Sequence, residues 1–265
     1  MMYRFDYQTP DSIEAALVAL RENGESKIVA GGMTLLPTMK LRLARPDVLV
    51  DINHIGSLTG ISESHGAILI GAMTRHADVA ASKLVRNRIP SLADLAEAIG
   101  DPQVRNRGTI GGSVANNDPA ADYPAGLVGL GATVVTDRRE IVADDFFTGM
   151  FETILEEDEI ITAVRFPIPK RAAYMKFPNP ASRYAIVGVM IAEASDGIRV
   201  AVTGAASCVF RVPAMEDALT KNFTHDAIVA ITLDGAEFNE DIHASAEYRA
   251  HLVNVMARRA VAAVS

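Results

Sequence analysis

The sequence predicts an α+β fold overall: helical and strand patterns alternate over about 170 residues, which points to α/β rather than all-helical there, and a smaller sheet backed by helices follows. Three observations predict it. Helix-period and strand-period segments alternate from the start, a glycine- and asparagine-rich stretch from Asn106 to Pro124 divides them, and Pro167, Pro169, Pro178 and Pro180 bracket a boundary near residue 170. Proline resists both helix interiors and central strands, so such a cluster separates units.

Thr9 followed by Pro10 opens a helix whose Ile13, Ala16, Leu17 and Leu20 share one face, and Asn23-Gly24 closes it. Ser26 to Ala30 reads as a short buried strand running into Gly31-Gly32-Met33-Thr34, after which Leu35 to Leu43 is helical up to the break at Pro46. Val48 to Ile52 and Ala67 to Met73 are further strands; Thr74 caps a helix through Ala81, and Ser91 to Ile99 fits another. Ala132 to Val142 reads as a hairpin turning at Asp137-Arg138-Arg139, and Glu159 to Phe166 adds a strand. Beyond the prolines, Tyr184 to Ala192 and Ile198 to Ala205 are apolar strands joined by Ser195-Asp196-Gly197, followed by helical patterns from Val212, from His225 and from Ala244.

Composition narrows the function. The chain has 265 residues, 49% of them hydrophobic and 22% charged, enough for a real core and unlike a disordered chain. A net charge of −8 opposes nucleic acid as a partner. Cys208 is the single cysteine, so this chain alone supplies neither a disulfide framework nor a thiolate cluster. The start, Met1-Met2-Tyr3-Arg4-Phe5-Asp6, has no apolar signal region, and no stretch approaches the roughly 18 apolar residues of a membrane span. The expected location is the cytoplasm.

Two glycine pairs carry the chemistry: Gly31-Gly32 followed by Thr34, and Gly111-Gly112 between Thr109 and Ser113. Each joins a backbone able to take positive φ to nearby hydroxyls, so several N–H groups can converge on one anion. Two such loops can clasp a pyrophosphate from both sides; neither G-x-G-x-x-G nor a P-loop occurs, and the plain alternative for either pair is a tight turn.

The segments Lys27-Ile28-Val29-Ala30-Gly31-Gly32-Met33-Thr34-Leu35-Leu36-Pro37 and Gln103-Val104-Arg105-Asn106-Arg107-Gly108-Thr109-Ile110-Gly111-Gly112-Ser113 resemble the two flavin-binding signatures of the medium subunit of molybdenum hydroxylases. That family includes aerobic carbon monoxide dehydrogenase and multi-subunit xanthine dehydrogenases. The resemblance extends through Asn116 to Asp122, Asp144 to Gly149, Glu159-Ile160-Ile161 and Tyr174-Met175-Lys176-Phe177. It implies a PCMH-type FAD-binding domain over 1–170, with two α/β subdomains of about 1–53 and 54–170, and a C-terminal domain of carbon monoxide dehydrogenase flavoprotein type over 171–265.

By position, the resemblance puts Lys27, Ile28, Val29, Ala30, Gly31, Gly32, Met33, Thr34 and Leu35 around FAD, with Gly108, Thr109, Gly111, Gly112 and Ser113 at its pyrophosphate. Asp122, Ile161 and Lys176 fall where the family also touches the cofactor, and Tyr184 where some members pack a tyrosine on the isoalloxazine. Two positions depart from the pattern: the family often has a polar residue at Met33, and Asn or Asp at Ser113.

The remaining candidates have plainer readings. Arg105 and Arg107 either neutralise phosphate or form a solvated face. The six histidines show no metal-binding spacing, so no metal is expected. Asp118 and Asp122 lie in a Pro-containing turn rather than an acid–base pair, and Cys208 reads as a small buried hydrophobe at a strand end. No residue is assigned as catalytic.

The resemblance implies an electron-transfer subunit holding FAD noncovalently, with a large molybdenum–pterin subunit and a small subunit of two [2Fe–2S] clusters in a dimer of heterotrimers. The electron acceptor is left open. Two alternatives remain: a self-sufficient flavin oxidoreductase such as the reductase acting on UDP-acetylenolpyruvoylglucosamine, and a scaffold without flavin.

Overall fold

The computed structural model describes residues 2–22 and 24–264; Asn23, part of the expected helix stop, lies outside them. The chain begins with β1 (Asp6–Gln8), α1 (Ile13–Glu22), β2 (Ser26–Val29), α2 (Leu35–Lys40) and β3 (Val48–Asp51). The three strands pair in parallel in the order β1-β3-β2. Parallel neighbours need crossovers, which the two helices supply. Ala16, Ala19 and Leu20 of α1 pack with Val48 and Val50 on one face, while Leu35, Leu36 and Met39 of α2 pack with Val29 and Leu49 on the other. β1 is three largely exposed residues with no apolar pattern; its pairing with Val48–Val50 fixes it.

The chain then forms β4 (Ile61–Ser64) and β5 (Ala67–Gly71) and enters a helical layer: α3 (His76–Ala81), α4 (Lys83–Arg88), α5 (Pro90–Glu97), α6 (Pro102–Arg105), α7 (Ile110–Asn116) and α8 (Tyr123–Leu130). It returns as β6 (Thr133–Thr136) and β7 (Glu140–Val142), passes α9 (Ala143–Phe146) and the hairpin β8 (Phe147–Gly149) and β9 (Glu152–Thr153), and re-enters the sheet as β10 (Ile161–Pro167). The five strands run β4-β5-β10-β6-β7, antiparallel throughout. The segment read as a glycine-rich connection holds all of α7 and the start of α8. α8 is invisible in the sequence because all eight of its residues are buried and no polar face marks a period. Its glycines sit where neighbours close in: a Cβ at Gly126 would lie 2.8 Å from Leu95 Cδ1. Thr74 does not cap α3. Its hydroxyl bonds the Gly60 carbonyl at 3.1 Å, and Arg75 holds the cap position.

The last sheet is β11 (Arg171–Pro178), β12 (Ala185–Ala194), β13 (Gly197–Thr203) and β14 (Phe210–Arg211), antiparallel in that order, followed by α10 (Pro213–Lys221) and α11 (Ala246–Val264). His225–Ile228 makes one 3₁₀ turn rather than the expected helix. β11 occupies the stretch between the proline pairs. Eight consecutive residues of β12 are buried, since both faces are covered. Val187, Val189 and Ile191 pack with Met215 of α10 and Val253 and Met256 of α11. Met190 and Ala192, with Tyr174 of β11, join the core that holds α5, α8 and the five-stranded sheet. That shared core sets Tyr174 and, two residues on, Lys176 on the face turned toward α5 and α8.

Candidate functional site

The first glycine loop leaves β2 at Ala30, whose carbonyl accepts from Asn53 Nδ2 at 2.8 Å. Asn53 is in turn held by Asp51 Oδ1, and Asp51 also accepts from the Tyr7 hydroxyl. Burial pushes the Asp51 carboxyl up, but these hydrogen bonds outweigh it and hold the group below its ordinary value. Gly32 takes φ +71°, a left-handed conformation natural to glycine, and turns the chain into α2. The carbonyls of Gly32 and Thr34 accept from Leu36 and Thr38. Among the described residues, no protein group accepts from the amides of Gly31, Gly32, Met33, Thr34 or Leu35. Five successive N–H groups without protein acceptors, leading into a helix, form an electropositive cradle for an anion.

The second loop is built differently. Thr109 caps α7, its hydroxyl accepting from Gly112 N at 3.2 Å. The amides of Ile110, Gly111 and Ser113 go to the carbonyls of Thr74, Ala72 and Thr109 at 3.1, 2.8 and 3.0 Å. Amides 110–113 are therefore satisfied by protein, and convergence of N–H groups is a property of the first loop alone. Glycine is required in the second for close approach: a Cβ at Gly111 would lie 2.6 Å from Ala72 Cβ, and one at Gly108 would lie 2.6 Å from His76 Nε2. The two loops touch. A Cβ at Gly31 would collide with the Arg107 carbonyl oxygen and lie 2.7 Å from Gly108 Cα. The start of α7 therefore stands beside the first loop: a Cβ at Gly112 would lie 3.4 Å from Ala30 Cβ.

Under the second loop lies His76, which no spacing in the sequence marks. Its backbone N–H donates to the Gly108 carbonyl at 3.0 Å and its ring packs against Tyr123 with centroids 5.4 Å apart. Burial, then the nearby Arg105 charge, lowers its pKa from 6.5 to about 4. An imidazole whose folded pKa is depressed stays neutral in the native state while the unfolded chain takes up a proton, so stability falls as pH drops below 6.5 and levels off below about 4. The wild type should lose about 2 kcal/mol more than His76→Gln between pH 7 and pH 5 in urea unfolding. Parallel curves for the two proteins would show that His76 is not buried neutral.

The other expected residues fall into three places. Lys176 Nζ donates to the Asp122 carboxylate at 2.9 Å and to the Ala98 carbonyl at 3.0 Å, with side chains 6% and 4% exposed, and the Tyr174 hydroxyl donates to the same carboxylate. Burial drives the Asp122 carboxyl up; Lys176 and Tyr174 oppose it. Tyr184 is 45% exposed and borders a cleft of about 450 Å³ with Asp118, Pro119, Asn179 and Ser182. Burial and the charges of Asp118 and Asp122 raise its hydroxyl pKa. Ile28, Val29 and Ile161 are packing residues. Ile161 adjoins Thr162, whose carbonyl accepts from Ala72 N at 2.9 Å beside Gly111. Lys27 is exposed on the edge strand β2. Arg105 is structural, donating to the Ile99 and Gly100 carbonyls, whereas Arg107 is exposed at the loop contact. Cys208 is half-buried in the segment between β13 and β14 rather than at a strand end.

Asn53 and Asn117, like His76, hold structural roles that sequence reasoning does not assign. Asn117, in the left-handed region, ties α7 to the β8–β9 hairpin through the Gly149 and Glu152 carbonyls, both at 2.8 Å. Their partners lie 23 to 35 residues away, so no local pattern records them. The donor set fits FAD: the amide cradle suits a pyrophosphate, and the glycines let the two loops approach closely. Among the described residues, no group of three or more His, Cys, Asp or Glu side chains is placed to hold a metal, and no helix is long and apolar enough to cross a membrane.

Residues 3–169 match the family described as the FAD binding domain in molybdopterin dehydrogenase. The chain is 38% identical to the carbon monoxide dehydrogenase medium chain of Hydrogenophaga pseudoflava, over 97% of this chain and 96% of that one. It is also 38% identical to the nicotine 6-hydroxylase medium subunit of Paenarthrobacter nicotinovorans, over 96% and 95%. A solved structure of the Hydrogenophaga pseudoflava carbon monoxide dehydrogenase, in a form lacking the Mo-pyranopterin moiety, superposes with a TM-score of 0.91 over 99% of this chain and 98% of that one. With a matched domain over well more than half its length and relatives aligned end to end, the chain belongs to the FAD-binding medium subunits of molybdenum hydroxylase-type dehydrogenases and is an oxidoreductase component.

Proposed function

We propose that this chain is the electron-transfer subunit of a heterotrimeric molybdenum hydroxylase, standing between the [2Fe–2S] clusters of a small partner and an external acceptor. The row of amides from Gly31 to Leu35, which has no protein acceptor among the described residues, carries the reading. Those amides hold the pyrophosphate, and the Thr109 and Ser113 hydroxyls meet it from the second loop. Gly112 keeps a side chain out of its way, while Gly108 and Gly111 let the loop close onto His76 and Ala72. Lys27 to Ala30 bring the chain to the cradle, while Asp122, Ile161, Lys176 and Tyr184 border the flavin ring. Bound FAD supplies a centre that takes up electrons singly and passes them on. The chain's own residues bind and orient it and contribute no acid, base or nucleophile.

The same reading assigns residues 1–170, as subdomains of about 1–53 and 54–170, to flavin binding and 171–265 to a C-terminal domain. The end of the family match at residue 169 and the change of sheet between β10 and β11 support this division. A large subunit would carry the molybdenum–pterin cofactor, in a dimer of heterotrimers. Relatives of equal identity, one from a carbon monoxide dehydrogenase and one from a nicotine hydroxylase, support substrate choice residing on another subunit.

Stripping FAD from the assembled complex should abolish transfer to the acceptor while substrate still reduces the iron–sulfur centres, as read by electron paramagnetic resonance. Centres that stay oxidised with substrate once FAD is gone would put the flavin before the clusters and overturn the reading. Turnover of carbon monoxide, purines or aldehydes by the isolated chain would favour a self-sufficient enzyme. Neither loop contains Cys or His, so FAD should be released intact on denaturation. Flavin remaining on the denatured polypeptide would contradict noncovalent binding.

A further inference from the structure

We propose that the turn after α2, Leu41 to Arg45, is a docking surface for a partner subunit that presents an apolar socket rimmed by carboxylates. This deepens the proposed function and rests on it, since the partner is a subunit of the same complex. Leu41 and Leu43 are 71% and 77% exposed within three residues, beside Tyr3 at 40%. Single exposed leucines are ordinary, but a pair fixed in one turn with an aromatic ring beside it is a patch.

The turn is built to present them. Arg42 takes φ +62°, a conformation that disfavours a residue with a Cβ. The N–H groups of Leu41, Arg42 and Leu43 donate to the carbonyls of Pro37, Met39 and Thr38, each at 3.0 Å. The bond from Leu43 reaches back five residues in the manner of a Schellman end, where the apolar residue usually folds onto the helix. Leu43 instead stays in solvent.

Charge identifies the occupant. Lys40, Arg42 and Arg45 are exposed cations, with no acidic residue from Lys40 to Pro46, in a chain of net charge −8. The Arg42 and Arg45 guanidinium groups lie over the Tyr3 ring at 5.3 and 5.1 Å from its centroid, which pre-orders the rim. A second copy docked through the same turn would set cations against cations. A lipid surface fits less well, because the arginines are gathered on Tyr3 and the chain's net charge repels an anionic bilayer.

The test is co-expression of the full chain with its partner subunits, comparing wild type, Leu41→Glu/Leu43→Glu and Arg45→Glu. Circular dichroism and FAD content should be unchanged in the variants. Affinity for the partner subunits should fall by about 30-fold or more in the double variant, and wild-type assembly should weaken as salt rises. Arg45→Glu should show weaker assembly with a flatter salt dependence, which keeps the test open if the double variant misfolds. Assembly of both variants at wild-type affinity would overturn the surface and leave the proposed function standing. Failure of the wild type to assemble with those subunits would overturn both. If the variants instead break a homodimer of the isolated chain, or abolish wild-type binding to phosphatidylserine vesicles, the occupant is a second copy or a membrane and the proposal fails.

Discussion

Gly31→Val is expected to abolish FAD binding, lowering affinity at least about 100-fold, some 2.7 kcal/mol, while far-ultraviolet circular dichroism stays close to wild type. The reason is backbone against backbone. A side chain at residue 31 runs into the Arg107 carbonyl and Gly108 Cα, so the two loops must part and the amide cradle loses its contact with the second loop. Gly32→Val should also lose FAD, through a β-branched residue forced to φ +71° with its Cβ 2.8 Å from Leu36 Cδ1. Gly112→Val should be milder, because its Cβ would meet only the Thr109 hydroxyl at 3.0 Å and Ala30 Cβ at 3.4 Å. Flavin content after desalting ranks the three. Full occupancy in Gly31→Val would remove the loop contact from the site.

Lys176→Met is expected to cost about 3–5 kcal/mol of stability, since it leaves the Asp122 carboxylate buried without its cation. The pair joins α8 to β11 inside the core shared by the five-stranded sheet and the C-terminal sheet, so the loss should be global and visible in urea unfolding. Adding Asp122→Asn removes the orphaned charge and keeps an acceptor for the Tyr174 hydroxyl, so the double variant should recover most of the loss. Single losses that simply add would mean that the two side chains are not coupled. A double variant that regains stability yet binds no FAD would separate the flavin role of these residues from their structural one.

Much of the fold is legible because it rests on local period. The Ile13/Ala16/Leu17/Leu20 face predicts α1, and the turn at Asp137-Arg138-Arg139 predicts the β6–β7 hairpin, since their apolar sides face one core and their polar sides face water. α8 and β1 fail that test for opposite reasons, one buried all round and the other largely exposed.

Read from its residues alone, the chain shows its class and marks where two glycine loops lie. Glycine pairs flanked by hydroxyls mark backbone that takes positive φ or approaches a neighbour closely: Gly32 does the first, Gly31 and Gly111 the second. The tertiary structure alone decided the division of labour. Which amides lack a partner depends on acceptors that arrive from elsewhere in the chain: Ala72 and Thr74 take those of Gly111 and Ile110, and among the described residues nothing takes those of Gly31 to Leu35. Lys176 likewise finds Asp122 across 54 residues through the register of β11 against the helical layer. Long-range packing sets these pairings, and a one-dimensional pattern records only the groups that seek partners.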